Sequence, residues 1–456
     1  MFSFSGMVSA NSGPVYWQGY PSSEIMSVAR NSPITVQEEN LLFDFSDYND
    51  SDYSISGKIT AVYKMVNPTN GPQSVQMAFP FVGALEGLSP DSVVVTAGDS
   101  VLPYDLYIGE AVNAHGTPGQ KEKGTSFDFA GIVEAVTNEL YRAKNFADNE
   151  KGRLYIFDVT PTADQRINFA VEFNLDDKKT KVFAQGFNRY ERDGEKTKIA
   201  AGCYEPQTLE IMVLGEDIDF RTDAYSDGAL QEKTGLFSSQ ISVREVTLKQ
   251  YLLEYVKKNA HKENEGMISD TQLYNLYAKS LDQYFTENMG FCFEHDLLAQ
   301  GHHKRILTLV YTVEFPPDGE KEVGVNCRIS GTMDKTKTVS PLYSFDYMLN
   351  PAENWSDFEN LNIKIITPPE APYIVESSIK LAQEENRVYT AILADLPADD
   401  LSFALYAKEK ITLMDKVAGS LRNSFGYFIF FLPFVTVFFI IVMIIFIRVN
   451  SAYKKL

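Results

Sequence analysis

The chain is short of the residues that would make its chemistry easy to read. Its 456 residues include three cysteines, Cys203, Cys292 and Cys327. An odd number at wide spacing is no disulfide framework, and one bridge with one free thiol is the most that three can make. Tryptophan occurs only at positions 17 and 355. Four signatures are missing: the G-x-S-x-G elbow, the H-E-x-x-H metalloprotease helix, the Walker A loop and the G-x-G-x-x-G dinucleotide fingerprint. Their absence leaves open enzymes with no short signature, such as glycosidases that use a carboxylate pair. Basic charge is also scarce, with 41 Lys+Arg against 61 Asp+Glu and a net charge of −20. Residues 422–456 hold four cations and no acid, so the rest of the chain carries about −24. A surface of that sign disfavours nucleic acid and anionic lipid headgroups as partners.

What is present begins with one long apolar run. Phe425 to Ile447 is a 23-residue stretch without charge, rich in Phe, Ile, Val and Leu. About 20 apolar residues in a helix cross the ~30 Å hydrocarbon core of a bilayer. Pro433 would break a soluble helix but is tolerated in a membrane one. Arg448, Lys454 and Lys455 follow at once, which favours a cytoplasmic C-terminus. At the other end, Val8-Ser9-Ala10 places small residues where a signal peptidase reads them, with cleavage expected between Ala10 and Asn11. The expectation is a single-pass protein of the cell membrane with its body outside the cell. A tail-anchored protein with a cytosolic body is the alternative. The lipid bilayer is the one partner this layout names; the surface ligand or protein partner stays unspecified.

The body reads as mainly β within an α+β chain. Aromatic content is 13%, which suits strands with filled faces. Residues 54–82 look like a hairpin: alternating Ile59, Ala61, Tyr63 and Met65, a turn at Asn67-Pro-Thr-Asn-Gly-Pro72, and a return through Val75, Met77 and Phe79. A second run of this kind flanks Pro316-Pro-Asp-Gly319. Helical spacing of Phe129, Ile132, Val133, Val136 and Leu140 predicts a helix over about 127–145. Thr247 with Gln250, and Ser269 with Gln272, are capping-box patterns that open two helices. The predicted organisation has a signal-peptide remnant at 1–10 and a β-rich domain with a helical insertion at 11–245. A helical hairpin and linker follow at 246–300, a second β-sandwich at 301–412 and a juxtamembrane linker at 413–424. The membrane helix at 425–447 and a basic tail at 448–456 complete it. The fold class is two β-sandwich-like domains with a helical hairpin between them and one C-terminal transmembrane helix.

The stretches VYKMVNPTNGPQSVQMAFPF, FDYMLNPAENWSDFENLNIKI and GPVYWQGYPSSEI resemble uncharacterised clostridial-type, Gram-positive membrane-anchored ectodomains. The first of them is also similar to the opening hairpin of vault/inter-alpha-trypsin-type sandwiches. The resemblance covers about an eighth of the chain. It implies a signal peptide, a β-sandwich ectodomain and a C-terminal anchor, and it implies no reaction. The core of a signal peptide is the part of that pattern this chain lacks.

Several clusters are candidates for chemistry. Cys292, Glu294, His295, His302 and His303 crowd into a dozen residues and are of the types that bind zinc. Their spacing matches no known ligand framework, and a polar linker with incidental histidines is the plainer account of them. Asp44, Asp47, Asn49, Asp50 and Asp52 form an acidic loop, where Asp47, Asp50 and Asp52 could serve calcium. No Gly falls at the sixth position from Asp47, so this is no EF-hand. Ser377-Ser-Ile-Lys380 and Lys233-Thr-Gly235 match motifs of penicillin-recognising enzymes, but in reversed order. Trp17 and Trp355 each suit an anchor for a sugar or partner, or a cap on a sandwich end. No cofactor is required and no catalytic residue is assigned. The leading reading is a non-catalytic surface protein used for binding, sensing or envelope organisation. An anchored envelope hydrolase and a subunit of a larger membrane complex are the alternatives.

Overall fold

The computed structural model describes residues 16–20, 22–29, 32–47, 53–112 and 138–420. The expected signal remnant with Ala10 and Asn11, Asp50 and Asp52, and the segment from Phe425 through Pro433 and Ile447 to Arg448, Lys454 and Lys455 all lie outside these residues. No helix among the described residues is long and apolar enough to cross a membrane.

The described chain is mainly β, in four sheets. The two expected hairpins are where the structure departs most from the sequence reading. Strands Ser56–Val66 and Gln73–Gly83 form as expected, but they do not pair with each other. The first lies in an eight-stranded sheet and the second in a ten-stranded sheet. Strands Arg305–Phe315 and Glu320–Ser330 are split between the same two sheets. Each run is therefore an arch that crosses from one layer to the other, and the two arches stack. Gln73–Gly83 pairs antiparallel with Arg305–Phe315, and Ser56–Val66 with Glu320–Ser330. An apolar alternation on each strand is satisfied equally by a hairpin or an arch, because either buries every second residue. The alternation could not discriminate between them.

The stacking also overturns the division into consecutive domains at 11–245 and 301–412. Segments before and after the middle of the chain share both sheets. Thr35–Asp44 pairs parallel with Leu361–Ile366, and Ser22–Ser23 with Leu342–Met348. The layers meet through aromatic side chains, one from each sheet: Phe43 on Tyr347 at 5.5 Å, Phe43 on Phe403 at 5.3 Å and Phe45 on Phe345 at 4.6 Å. Each such fully buried ring adds roughly 1.5–3 kcal/mol of burial.

A second sandwich is inserted into this main one. A five-stranded sheet contains Lys151–Pro161, Thr180–Gln185, Gln207–Gly215, Phe237–Thr247 and Phe291–Phe293. It faces a four-stranded sheet of Ile167–Asn174, Arg189–Asp193, Lys196–Cys203 and Arg221–Tyr225. Phe157 and Phe237 from one sheet meet Phe169 of the other at 6.2 and 5.8 Å. Its strands at 153–160, 166–175 and 207–214 are legible in the sequence. Phe237–Thr247, whose apolar positions are separated by Ser238, Ser239, Gln240, Arg244 and Glu245, is not.

The two capped helices run Leu248–Ala260 and Asp270–Glu287. Thr247 Oγ1 accepts from Gln250 N at 3.4 Å, and Ser269 Oγ from Gln272 N at 3.3 Å. The first helix lays Tyr251 and Tyr255 on Phe183, on the outer face of the five-stranded sheet. The second reaches the main sandwich, where Gln272 Oε1 accepts from Ile108 N at 3.2 Å. Between them His261 Nε2 meets the Tyr277 hydroxyl at 2.7 Å, and Asn264 Nδ2 donates to Leu85 O at 3.0 Å. The helical hairpin is thus a bracket between the two sandwiches.

The helix expected over 127–145 falls mostly outside the described residues, and its described end, 138–145, is not helical. The Asp282 carboxylate claims that segment. It accepts from Lys144 N, Asn145 N, Asn145 Nδ2 and the Tyr141 hydroxyl at 2.8–2.9 Å. Backbone N–H groups held this way are not free for bonds within a helix. Replacing Asp282 with Ala is expected to cost at least ~2 kcal/mol in urea unfolding, because several charge-assisted bonds go at once. The exposed Glu287→Ala is expected to stay within about 0.5 kcal/mol of wild type.

Candidate functional site

A cleft of about 280 Å³ opens where the N-terminal strands cross the edge of the main sandwich. It takes its position from the stacked arches. Ser56 and Arg328–Ser330 come from one layer, Ser22 and Phe81–Gly83 from the other. Trp17 and Tyr20 stand at the mouth, on a segment held by Gly19 N donating to Thr332 Oγ1 at 2.9 Å. Trp17 is 37% exposed, and its ring sits 5.4 Å from that of Tyr53, itself 58% exposed. The rim also carries Lys304, Arg328 and Glu86. Glu86 is paired with His302, whereas Lys304 and Arg328 form no ion pair among the described residues. The lining thus offers the exposed Trp17 ring, backed by Tyr53 outside the cleft, several hydroxyls and two cations without an ion pair among the described residues. That set can stack on a flat ligand face and bond polar groups at the ligand's edge.

Beneath the floor lies an unusual acid pair. Glu24 and Glu39 are both fully buried between the layers of the main sandwich. Glu24 follows Ser22 of the cleft by two residues, and Glu39 lies opposite Tyr63 in the neighbouring strand. The Tyr63 hydroxyl donates to Glu24 Oε2. The Tyr347 hydroxyl faces both carboxyls and also lies near Cys327, a residue of the cleft lining. No cation compensates either carboxyl among the described residues. Burial pushes Glu24 up from 4.5 to about 7, against hydrogen bonds that lower it. Burial raises Glu39 well above the usual range, and the neighbouring Glu24 charge adds to the effect. Two carboxyls in this setting cannot both ionise cheaply, so the folded pair retains a proton.

This pair is missed by motif reading, although one signal was there. Glu39 falls in phase with Leu41, Phe43 and Phe45, and alternation alone would point it inward. Glu24 lies in an irregular stretch with no such cue.

The zinc candidates are not brought together. Cys292 is buried in a strand of the inserted sandwich, with burial pushing its thiol up. Glu294 accepts from Gly186 N at 2.9 Å and from the Tyr255 hydroxyl at 2.7 Å. His295 stacks on Phe293 at 5.2 Å, and His302 is occupied with Glu86. His303 is exposed beside it. No group of three or more His, Cys, Asp or Glu suited to a metal occurs among the described residues. In the acidic loop, Asp44 Oδ1 accepts from Ser46 N at 2.8 Å as a local turn, and Asp47 is exposed. The penicillin-type motifs fall in different bodies. Lys233 pairs with Asp223 on the inserted sandwich at 2.7 Å, while Ser377 ends a strand of the main one. Trp355 is 5% exposed and donates from Nε1 to Ile25 O at 3.3 Å, so it caps the sandwich interior. Trp17 is the exposed one of the two.

The acid pair makes stability depend on pH in a known direction. Folded-state values raised above 4.5 mean that the folded chain holds more protons than the unfolded one. Stability is therefore fully present below pH 4.5 and falls as pH rises toward and through about 7, by up to ~1.4 kcal/mol per pH unit for each proton. Glu39→Gln is expected to flatten this slope between pH 5 and 8 in thermal or urea unfolding. An unchanged slope would mean the pair is not what titrates.

No family model matches the chain, and no curated protein matches it. Among solved structures, the chain is similar to a Legionella pneumophila protein provisionally assigned to nutrient binding. The two share 12% identity over 86% of this chain and 73% of that one, with a TM-score of 0.32. A likeness of that size carries no argument about fold or activity.

Proposed function

We propose that this chain is a non-catalytic binding protein that takes a saccharide-like ligand in the cleft beside Trp17. The observation that carries the reading is the exposed Trp17 ring, packed on Tyr53, in a cleft that also holds Ser56, Ser92 and Ser330. A sugar ring offers an apolar face for such rings and hydroxyls for the floor. Among the described residues of the cleft the one carboxylate, Glu86, is paired with His302, and the two buried glutamates lie beneath the lining rather than in it. A retaining or inverting glycosidase would need two carboxyls across the ligand. In this reading the body is displayed outside the cell by segment 425–447, with the basic tail inside. Protease added to intact cells should then release the body and leave the C-terminal segment behind. A fully protected body would reverse the orientation.

The ligand itself can be sought by fluorescence, because the chain has one exposed and one buried tryptophan. A panel of neutral and acidic envelope oligosaccharides should contain a member that shifts or quenches Trp17 emission saturably. Trp17→Ala should abolish that response while the Trp355 signal stays constant. A flat response across the panel would sink the saccharide reading.

A further inference from the structure

We infer that the free edge of the inserted sandwich is a self-pairing surface, through which two copies of this chain join their five-stranded sheets into one. The strand concerned, Phe237–Thr247, is 11 residues long and ends its sheet. It pairs with Lys151–Pro161 without a register shift along its whole length. No described backbone group bonds to its outer edge.

Other terminal strands show how this chain ordinarily guards an edge. None among the described residues is longer than the seven of Asp105–Ala111, which carries Asp105 and Glu110. Ala382–Glu385 ends in two acids, and Arg189–Asp193 has four charges in five residues. Short length and charge are the usual devices against edge-to-edge pairing. Phe237–Thr247 has neither. It contains no proline, no bulge and no charge from 237 to 243, and Arg244 and Glu245 cancel. It is thus a long neutral edge on a protein of net charge −20. Like-charge repulsion between copies is low along an edge without net charge.

The side chains favour a second copy as the occupant. Ile241 and Val243 are 48% and 57% exposed. They lie opposite Phe157 and Tyr155, so they stand on the core-facing side of the sheet, past the cover of the opposing one. An antiparallel pairing with its two-fold axis at Ser242 sets each Ile241 opposite Val243 of the second copy. It sets Gln240 opposite Arg244, and Ser239 opposite Glu245, with no like charges facing. Such apolar cross-strand pairs stabilise a sheet, and a two-fold contact closes on itself rather than propagating.

The test uses the full chain in detergent, by light scattering across a concentration series and by oxidative cross-linking. At the two-fold axis the two Ser242 Cα atoms would be about 4.5–5.5 Å apart, within the range that a disulfide spans. Ser242→Cys should give a cross-linked dimer, whereas Tyr204→Cys at another exposed site should not. The three native cysteines are buried and do not compete. Ile241→Lys combined with Val243→Lys sets like charges opposite each other and should weaken the dimer at least tenfold. Both positions are exposed, so the fold should survive, as circular dichroism would verify. A wild-type monomer at tens of micromolar overturns the proposal. So does a dimer that ignores the double lysine variant, which would place the contact elsewhere. Cross-linking no better than the Tyr204→Cys control overturns the register.

Discussion

Everything else in the main sandwich depends on two turns docking on one another. Asn67 starts the turn of the first arch and is fully buried. Its backbone N–H donates to Gly319 O at 2.9 Å, and its side-chain Nδ2 donates to Pro316 O at 2.9 Å and Gly71 O at 2.8 Å. Asp318 N answers by donating to Thr69 O at 2.9 Å. One amide side chain thereby joins turns 249 residues apart. The docking aligns four 11-residue strands in two layers. A buried amide with its donors met is favourable, and one left unmet is costly. The contact therefore selects this stacking of the arches over others with the same hydrophobic pattern.

That stacking also creates the cleft and the acid pair. With the arches stacked, the N-terminal strands fill one end of the sandwich, and Ser22 reaches the cleft floor while Glu24 turns inward. The same few residues thus line a binding cleft and bury a carboxyl.

The helical bracket gives the second sandwich a fixed seat. Its first helix lies on the outer face of the inserted sheet, its second is tied to the main sandwich through Gln272, and the turn between them through Asn264. One face of that sheet is covered in this way. No described backbone group pairs with its far edge, and it is there that a second copy fits.

Much of the local structure was written in the chain. Alternation of Ile59, Ala61, Tyr63 and Met65 marks a strand, and the Thr247 and Ser269 caps mark two helices, because these signals act within a few residues. The acidic balance is set by composition alone and bounds the class of partner. What strand pairs with what was settled only in three dimensions. Strands 56–66 and 73–83 look like a hairpin by every local test, yet they do not pair with each other and each takes a long partner beyond residue 304. The histidine cluster near 295–303 looked like a site because its members are close in sequence. In the fold His295 lies on Phe293 and His302 on Glu86, while His303 is exposed, so they form no common site. Glu24 and Glu39 are distant in kind from any motif and become a pair only when two layers close over them. Local propensity determines an element, but pairing and proximity are decided by which buried surfaces and polar groups can be satisfied together, and that is a property of the whole packed chain.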